Sequence, residues 1–79
     1  MEHTKQAAIE RIETNPNILL GKPVIKGTRI PVSLVLNLLA HGYTTKRVVE
    51  AYPQLTLEDV RAAIEYAAVL ADFKEMVYA

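Results

Sequence analysis

Glycine and proline crowd into one short part of this chain, and that crowding limits what the chain can fold into. Five of its seven glycines and prolines are Pro16, Gly21, Pro23, Gly27 and Pro31. Proline lacks a backbone N–H and disfavours helix at the preceding residue, whereas glycine favours turns. We therefore expect only short elements before residue 31 and the longer helices after it.

Two short extended segments are predicted in this first part. Residues 11–14 alternate in polarity, as a strand does, and residues 24–30 suit extended pieces on either side of a turn. Lys26 and Gly27 form that turn, for which Gly27 supplies the backbone freedom, and Pro23 and Pro31 prevent its arms from growing into long strands. Between the two segments, residues 18–20 are three apolar residues that we interpret as a plug ended by Gly21.

Three helices are predicted after Pro31, over residues 32–40, residues 45–52, and residue 57 to the last few residues. Pro31 suits a helix start, and Gly42 suits the position after a helix end. Thr44 is the predicted N-cap of the second helix. Thr56 and Asp59 have the spacing of a capping box at the start of the third. The predicted fold is mainly α, with a short N-terminal β element.

Length and composition set the broad class. The chain has 79 residues, 51% of them apolar, and no cysteine. We expect one domain over residues 11–79 after a polar and partly flexible lead at residues 1–10. The two histidines are far apart, and no apolar run reaches the roughly 18 residues of a membrane span. The expected protein is cytoplasmic, with no cofactor, metal or membrane partner.

The third predicted helix has more apolar surface than one small core needs. One predicted stripe is Leu57, Val60, Ile64, Ala67, Ala68 and Ala71, and a second, nearly opposite, is Tyr66, Leu70, Phe73 and Val77. The first stripe can pack on the other two helices. We interpret the second as a homodimer or partner interface; the alternative is that the N-terminal segment folds over it.

The zero net charge conceals three blocks of different charge. Residues 15–49 contain five basic residues and no acid: Lys22, Lys26, Arg29, Lys46 and Arg47. The blocks carry −1 over residues 1–14, +5 over residues 15–49 and −4 over residues 50–79. The middle block is either an ordinary solvated surface or a patch that contacts nucleic acid or another charged partner.

Two features of the basic block have competing interpretations. Lys46 and Arg47 lie in the first turn of a helix, where the helix dipole favours acidic residues. Either this unfavourable placement of positive charge is tolerated, or the two residues bind an anion or an acidic partner. Arg29 either forms a salt bridge with an acid such as Glu13 or Glu50, or contacts a phosphate or a partner's carboxylate. No arrangement of nucleophile, base or paired carboxylates indicates an enzyme.

Residues 15–32 resemble a known family signature. Asn15-Pro16 followed by Gly21-Lys-Pro-Val-Ile-Lys-Gly-Thr-Arg-Ile-Pro-Val32 is similar to the signature of domain-of-unknown-function family 433. Gly42, the turn Tyr52-Pro-Gln-Leu-Thr56, and Asp59-Val60 with Ala63 match its second half. The resemblance covers about residues 12–68.

The resemblance implies a small helical domain of the homeodomain-like, helix-turn-helix class. It also implies an antitoxin similar to the VapB type, a homodimer that binds and blocks a toxin with a PIN-like nuclease fold and represses its own operon. Lys46 and Arg47 depart from the acidic residues that begin the second helix in many members. The alternatives are a DNA-binding regulator without a toxin, which binds operator DNA, and a structural oligomerisation domain.

Overall fold

The computed structural model describes the backbone of residues 10–78 and the side chains of residues 10–72. Three helices follow a two-stranded sheet: β1 (Ile12–Glu13), β2 (Val24–Ile25), α1 (Val32–Ala40), α2 (Thr45–Ala51) and α3 (Leu57–Tyr78). This confirms the predicted mainly helical fold with a short β element. The predicted lead over residues 1–10 lies almost wholly outside the described residues.

The sheet is smaller than predicted. β1 and β2 are antiparallel, with Ile12 opposite Ile25 and Glu13 opposite Val24. Arg11, predicted to begin the first strand, has helical backbone conformation instead. It still belongs to the sheet's hydrogen bonding, because its carbonyl accepts from the N–H of Lys26 at 2.8 Å. Prolines on both sides of β2 account for the short pairing.

The helix ends follow the predicted capping residues closely. Thr44 Oγ1 accepts from the N–H of Arg47 at 3.0 Å, which caps α2. Gly42, at φ +99°, follows α1, and the N–H of Gly42 and Tyr43 donate to the carbonyls of Leu39 and Leu38. This pair of bonds is a Schellman motif. α2 ends at Ala51, one residue earlier than predicted.

The core lies between the sheet and the first half of α3. Its most completely buried large side chains are Val24, Ile25, Val35, Val48, Leu55 and Val60. The three helices and both strands contribute to this cluster, and Ile30 joins it from the loop before α1. The half-buried leucines of α1 and Tyr66 of α3 pack around it.

The buried face of α3 differs from the predicted one. Leu57 and Ile64, both assigned to the core, are 57% and 43% exposed, whereas Ala62 and Ala63 are buried. Tyr66, assigned to an opposite stripe, packs against the core. The helix is rotated because Asp59 is also buried and has partners there, and because alanine lets neighbouring elements approach closely.

Asp59 links the start of α3 to the segment before β1. Its Oδ2 accepts from the N–H of Thr56 at 3.0 Å, and its own N–H donates to Thr56 Oγ1 at 3.1 Å, so the predicted capping box is present. Its Oδ1 accepts from Arg11 Nη1 at 2.9 Å. The second Arg11 nitrogen reaches Glu58 Oε1 at 3.2 Å, at the exposed surface.

We predict that Asp59→Ala lowers the free energy of unfolding by about 2 to 3 kcal/mol, because a helix cap and a charged hydrogen bond are lost together. The measurement is urea denaturation followed by circular dichroism. The matched control is Glu58→Ala, which removes an adjacent but exposed partner of Arg11 and should cost less than about 1 kcal/mol. Equal losses in the two variants would contradict the assignment of Asp59 as the link.

Candidate functional site

An apolar groove of about 670 Å³ runs between α1 and the second half of α3. Its apolar lining is Pro23, Val32, Leu36, Tyr66, Ala67, Leu70 and Ala71. Lys22 and Ser33 add polar groups to the lining, and both are exposed. A concave surface of this size and composition is typical of a binding site rather than of a packing defect.

The groove arises from a difference in helix length. α3 has 22 residues and α1 has nine, which at 1.5 Å per residue gives roughly 33 Å against 14 Å. The first half of α3 buries Val60 and Ala63 in the core. The same face continues through Tyr66 and Leu70, where α1 only partly covers it.

This geometry corrects the prediction of two opposite stripes on α3. Tyr66 and Leu70, both predicted to form a dimer interface, lie on an extension of the core face and line the groove. Leu70 is 48% exposed. The side chains of Phe73 and Val77, the other two predicted interface residues, lie outside the described residues.

The turn before the groove has an unusual backbone conformation. Leu19, Leu20 and Gly21 have φ values of +50°, +59° and +85°. Glycine adopts this left-handed region readily, but leucine does so at a cost of roughly 1 to 2 kcal/mol per residue. The turn is held by the N–H of Gly21 and Lys22, which donate to the carbonyls of Ile18 and Leu19 at 3.0 and 3.2 Å.

Leu20 contradicts the predicted plug. Its side chain is 96% exposed and that of Leu19 is 41% exposed, so neither is buried as a plug would be. Ile18 alone of the three is half-buried. The left-handed turn directs Leu20 away from the core. The sequence does not indicate that Leu20 is exposed, because three apolar residues before a glycine are equally compatible with a buried segment.

The predicted basic residues fall into separate local groups. Lys26 and Arg29 lie in one turn after β2, Lys46 and Arg47 lie in the first turn of α2, and Lys22 lines the groove. All five are exposed. Arg47 lies over the ring of Tyr43, 4.9 Å from its centroid. No acidic residue occupies the first turn of α2.

The turn that carries Arg29 is held by Thr28. Thr28 Oγ1 donates to the carbonyl of Ile25 at 2.7 Å and accepts from the N–H of Ile30 at 3.0 Å. Gly27, at φ +82°, provides the left-handed conformation that the turn requires. At its base Pro31 lies opposite Val24, and the N–H of Val32 donates to the carbonyl of Pro23 at 2.9 Å.

Among residues 10–72, Arg29 has no salt-bridge partner, although a salt bridge was one of its two interpretations. Within residues 10–72, the ion pairs are those of Arg11 with Glu58 and Asp59. Neither Glu13 nor Glu50 therefore reaches Arg29. The exposed guanidinium stands on a rigid turn and is available to an external anion or carboxylate.

Among the His, Asp and Glu side chains of the described residues, no three lie together as the ligands of a metal ion would. None of the described helices combines the length and the apolar character needed to cross a membrane.

The fold and the groove define a small, mainly helical domain with a two-stranded sheet at its start, and sequence comparison assigns it to a family. The chain belongs to the family described as "Protein of unknown function (DUF433)", which it matches over residues 12–67. The predicted family membership is thus confirmed.

Two relatives are similar to this chain. "Uncharacterized protein y4eO" of Sinorhizobium fredii (strain NBRC 101917 / NGR234) is 44% identical over 61 residues, which are 77% of this chain and 28% of that protein. The chain thus spans little more than a quarter of that curated relative. A crystal structure of a DUF433 member from Anabaena variabilis ATCC 29413 is 30% identical, with a TM-score of 0.74. The match covers 90% of this chain and 70% of the other.

We predict that Leu20→Gly stabilises the monomer by about 1 kcal/mol. Glycine removes the strain of the left-handed backbone, and this gain exceeds the loss that comes from the greater conformational entropy of the unfolded chain. The measurement is the free energy of unfolding at protein concentrations where dilution no longer shifts the midpoint. Leu70→Gly, at a helical position, should instead destabilise by about 1 kcal/mol or more. Destabilisation by Leu20→Gly would show that the turn is not strained.

Proposed function

We propose that this protein is a non-enzymatic, antitoxin-like interaction protein that works as a homodimer. In this proposal it binds and neutralises a nuclease toxin with a PIN-like fold and represses its own operon. The observation that carries the proposal is Arg29, an exposed cation on a rigid turn with no carboxylate partner within residues 10–72. Such a group suits an inhibitor of a nuclease, because a nuclease site that holds metal ions is lined with carboxylates that a cation can pair with.

The rigidity of the turn supports binding rather than a solvated surface role. A side chain on a fixed backbone loses less freedom when it binds than one on a mobile loop. Thr28 fixes the turn through its two hydrogen bonds, and Ile25 and Ile30 anchor its arms in the core. Arginine can also form two parallel hydrogen bonds with one carboxylate.

The groove supports the homodimer. Its α3 side carries Tyr66 and Leu70, which α1 only partly covers, and a small domain gains stability when a second copy covers such a surface. In this proposal the apolar surface of α3 is buried in the dimer interface, and the turn with Arg29 stays exposed and contacts the toxin.

We expect co-expression with the small nuclease-like protein encoded beside this gene to yield a stable complex in which nuclease activity is blocked. Arg29→Glu should weaken that complex by about 30-fold or more, because a buried charge pair becomes a repulsion. The measurements are isothermal titration calorimetry and RNA cleavage by the toxin.

The matched control is Arg61→Glu, which makes the same charge change at an exposed position of α3 outside the basic block. It should leave affinity within about threefold of the unaltered protein, as rim charges usually do. An adjacent nuclease-like protein that fails to bind the unaltered chain would overturn the toxin proposal. Equal losses of affinity in the two variants would show that Arg29 does not contact the toxin directly.

A second candidate function, DNA binding, is favoured by the start of α2. Lys46 and Arg47 are exposed there, no acidic side chain shares that turn, and α2 packs against α3 as the two helices of a helix-turn-helix would. Glu58 and Asp59 at the start of α3 oppose a contact of that end with phosphate. In this proposal α2 and the Arg29 turn, rather than the start of α3, contact the DNA backbone.

If the protein binds its own promoter, affinity should fall steeply with salt concentration, with a slope of about −0.9 for each phosphate contact. Replacing Arg29, Lys46 and Arg47 by Glu together should abolish binding in a fluorescence anisotropy titration. Arg61→Glu again serves as the control and should bind normally. Unchanged binding by the triple variant would reject this surface.

A further inference from the structure

We propose that Leu20 anchors the homodimer by inserting into the groove between α1 and α3 of a second copy, with each copy contributing one leucine and one groove. This inference rests on the homodimer of the proposed function and names the contact that forms it. It differs from the predicted interface, which was a stripe of α3 alone.

Leu20 has the properties of an interface anchor. Its side chain is 96% exposed, so it is not buried by the described residues, although it stands on a turn whose backbone is held by hydrogen bonds. Its φ of +59° is unfavourable for leucine. Strained backbone of this kind is concentrated at binding sites, and exposed leucine offers apolar area that only a partner can bury.

The groove suits a leucine in chemistry and has ample room for one. Val32 lies at its base, almost fully buried, while Leu36 and Tyr66 are half-buried and Leu70 is exposed. Ala67 and Ala71 leave space where larger residues would close it. An aliphatic side chain entering here would remove apolar surface from water on both partners, and such contacts dominate the centres of stable interfaces.

The position of Leu20 relative to the groove indicates a second copy as the occupant. Lys22, which lines the groove, follows Leu20 by two residues. The turn that bears the anchor therefore leads directly into the lining of the groove. A twofold axis through this part of the domain places each anchor in the other copy's groove, and symmetric dimers require this self-complementarity.

The charges around the groove support the same occupant. Lys22 contributes a positive charge to the lining, and Asp72, exposed on α3, directly follows the lining residue Ala71. The positive charge of Lys22 therefore lies in the lining itself, and the negative charge of Asp72 lies one residue beyond it along α3. A second copy turned by 180° can bring a lysine near an acid at both ends, whereas a partner of one sign would oppose one of them.

Sedimentation equilibrium on the full chain tests the anchor with Leu20→Asn. Asparagine accepts a left-handed backbone, so the turn is preserved while the apolar side chain is removed. We expect the unaltered chain to be a dimer and Leu20→Asn to raise the dimer dissociation constant at least about 30-fold, as loss of an interface hot spot does. The control is Leu57→Asn, at a 57% exposed leucine away from the groove, which should remain dimeric.

Filling the groove tests the receiving side without touching the anchor. Ala71→Phe adds bulk to an exposed lining residue, so the fold should persist and circular dichroism should be unchanged. The dimer should dissociate as it does in Leu20→Asn. A dimer of unaltered affinity in either variant would overturn the proposed contact.

Cross-linking identifies the occupant directly. The chain has no cysteine, so Leu20→Cys and Leu70→Cys each introduce a single thiol. Mixed together with one copy tagged, they should give a cross-linked heterodimer with a short bis-maleimide, whereas Leu57→Cys mixed with Leu70→Cys should not. Absence of the mixed product in a dimeric sample would overturn the inference and leave the homodimer standing.

The remaining outcomes separate this inference from the proposed function. If Leu20→Asn stays dimeric but loses the toxin complex, the groove belongs to the toxin and the inference is overturned. A monomeric unaltered chain at about 100 μM would overturn both the anchor and the homodimer. Loss of toxin binding in Arg29→Glu alone, with the dimer intact, is the result expected if both proposals hold.

Discussion

The carboxylate of Asp59 joins the two halves of this small domain. Arg11, just before the first strand, and Thr56, just before the last helix, both bind it. The carboxylate is largely buried but has a partner on each oxygen, so its burial is compensated. Because Asp59 faces the core side, the rotation of α3 about its axis is set there. That rotation decides which later residues of the same helix meet α1 and which remain uncovered.

The uncovered part of α3 follows from that rotation and from length. A helix of 22 residues cannot be covered by neighbours of nine and seven. Its core face therefore continues past the core as one wall of the groove. The strained turn at Leu19–Gly21 lies immediately before Lys22 on the other wall, so the exposed leucine stands on a turn that leads directly into the lining of the apolar cavity. Each would be unfavourable in an isolated monomer, and together they suit a symmetric pair.

The basic residues are contiguous as a block in the sequence but are distributed over several elements in the structure. Their block in the sequence becomes separate groups on the turn after β2, on α2 and beside the groove. Arg29 is distinguished from the rest by the turn beneath it, which Thr28 and two buried isoleucines hold in place. Proposals for a toxin or DNA partner therefore depend on the geometry of single residues more than on total charge.

Local chemistry was enough to predict the element order, the bounds of α1, the caps at Thr44 and Thr56, and the turn at Gly27. Each depends on residues within about four positions of one another, where proline, glycine and hydroxyl side chains act directly on the backbone. The family signature is equally local. The sequence therefore determined the fold class and the family of this protein.

Only the tertiary structure decided which face of α3 is buried, that Tyr66 packs against the core, and that Leu20 is exposed. These outcomes depend on Arg11 reaching across the chain to Asp59 and on a left-handed turn that no apolar pattern encodes. Helical periodicity groups residues into faces but does not say which face meets the core when alanines and a satisfied aspartate compete with larger apolar residues. The candidate site lies on the part of α3 whose orientation depends on such long-range contacts, chiefly that of Arg11 with Asp59.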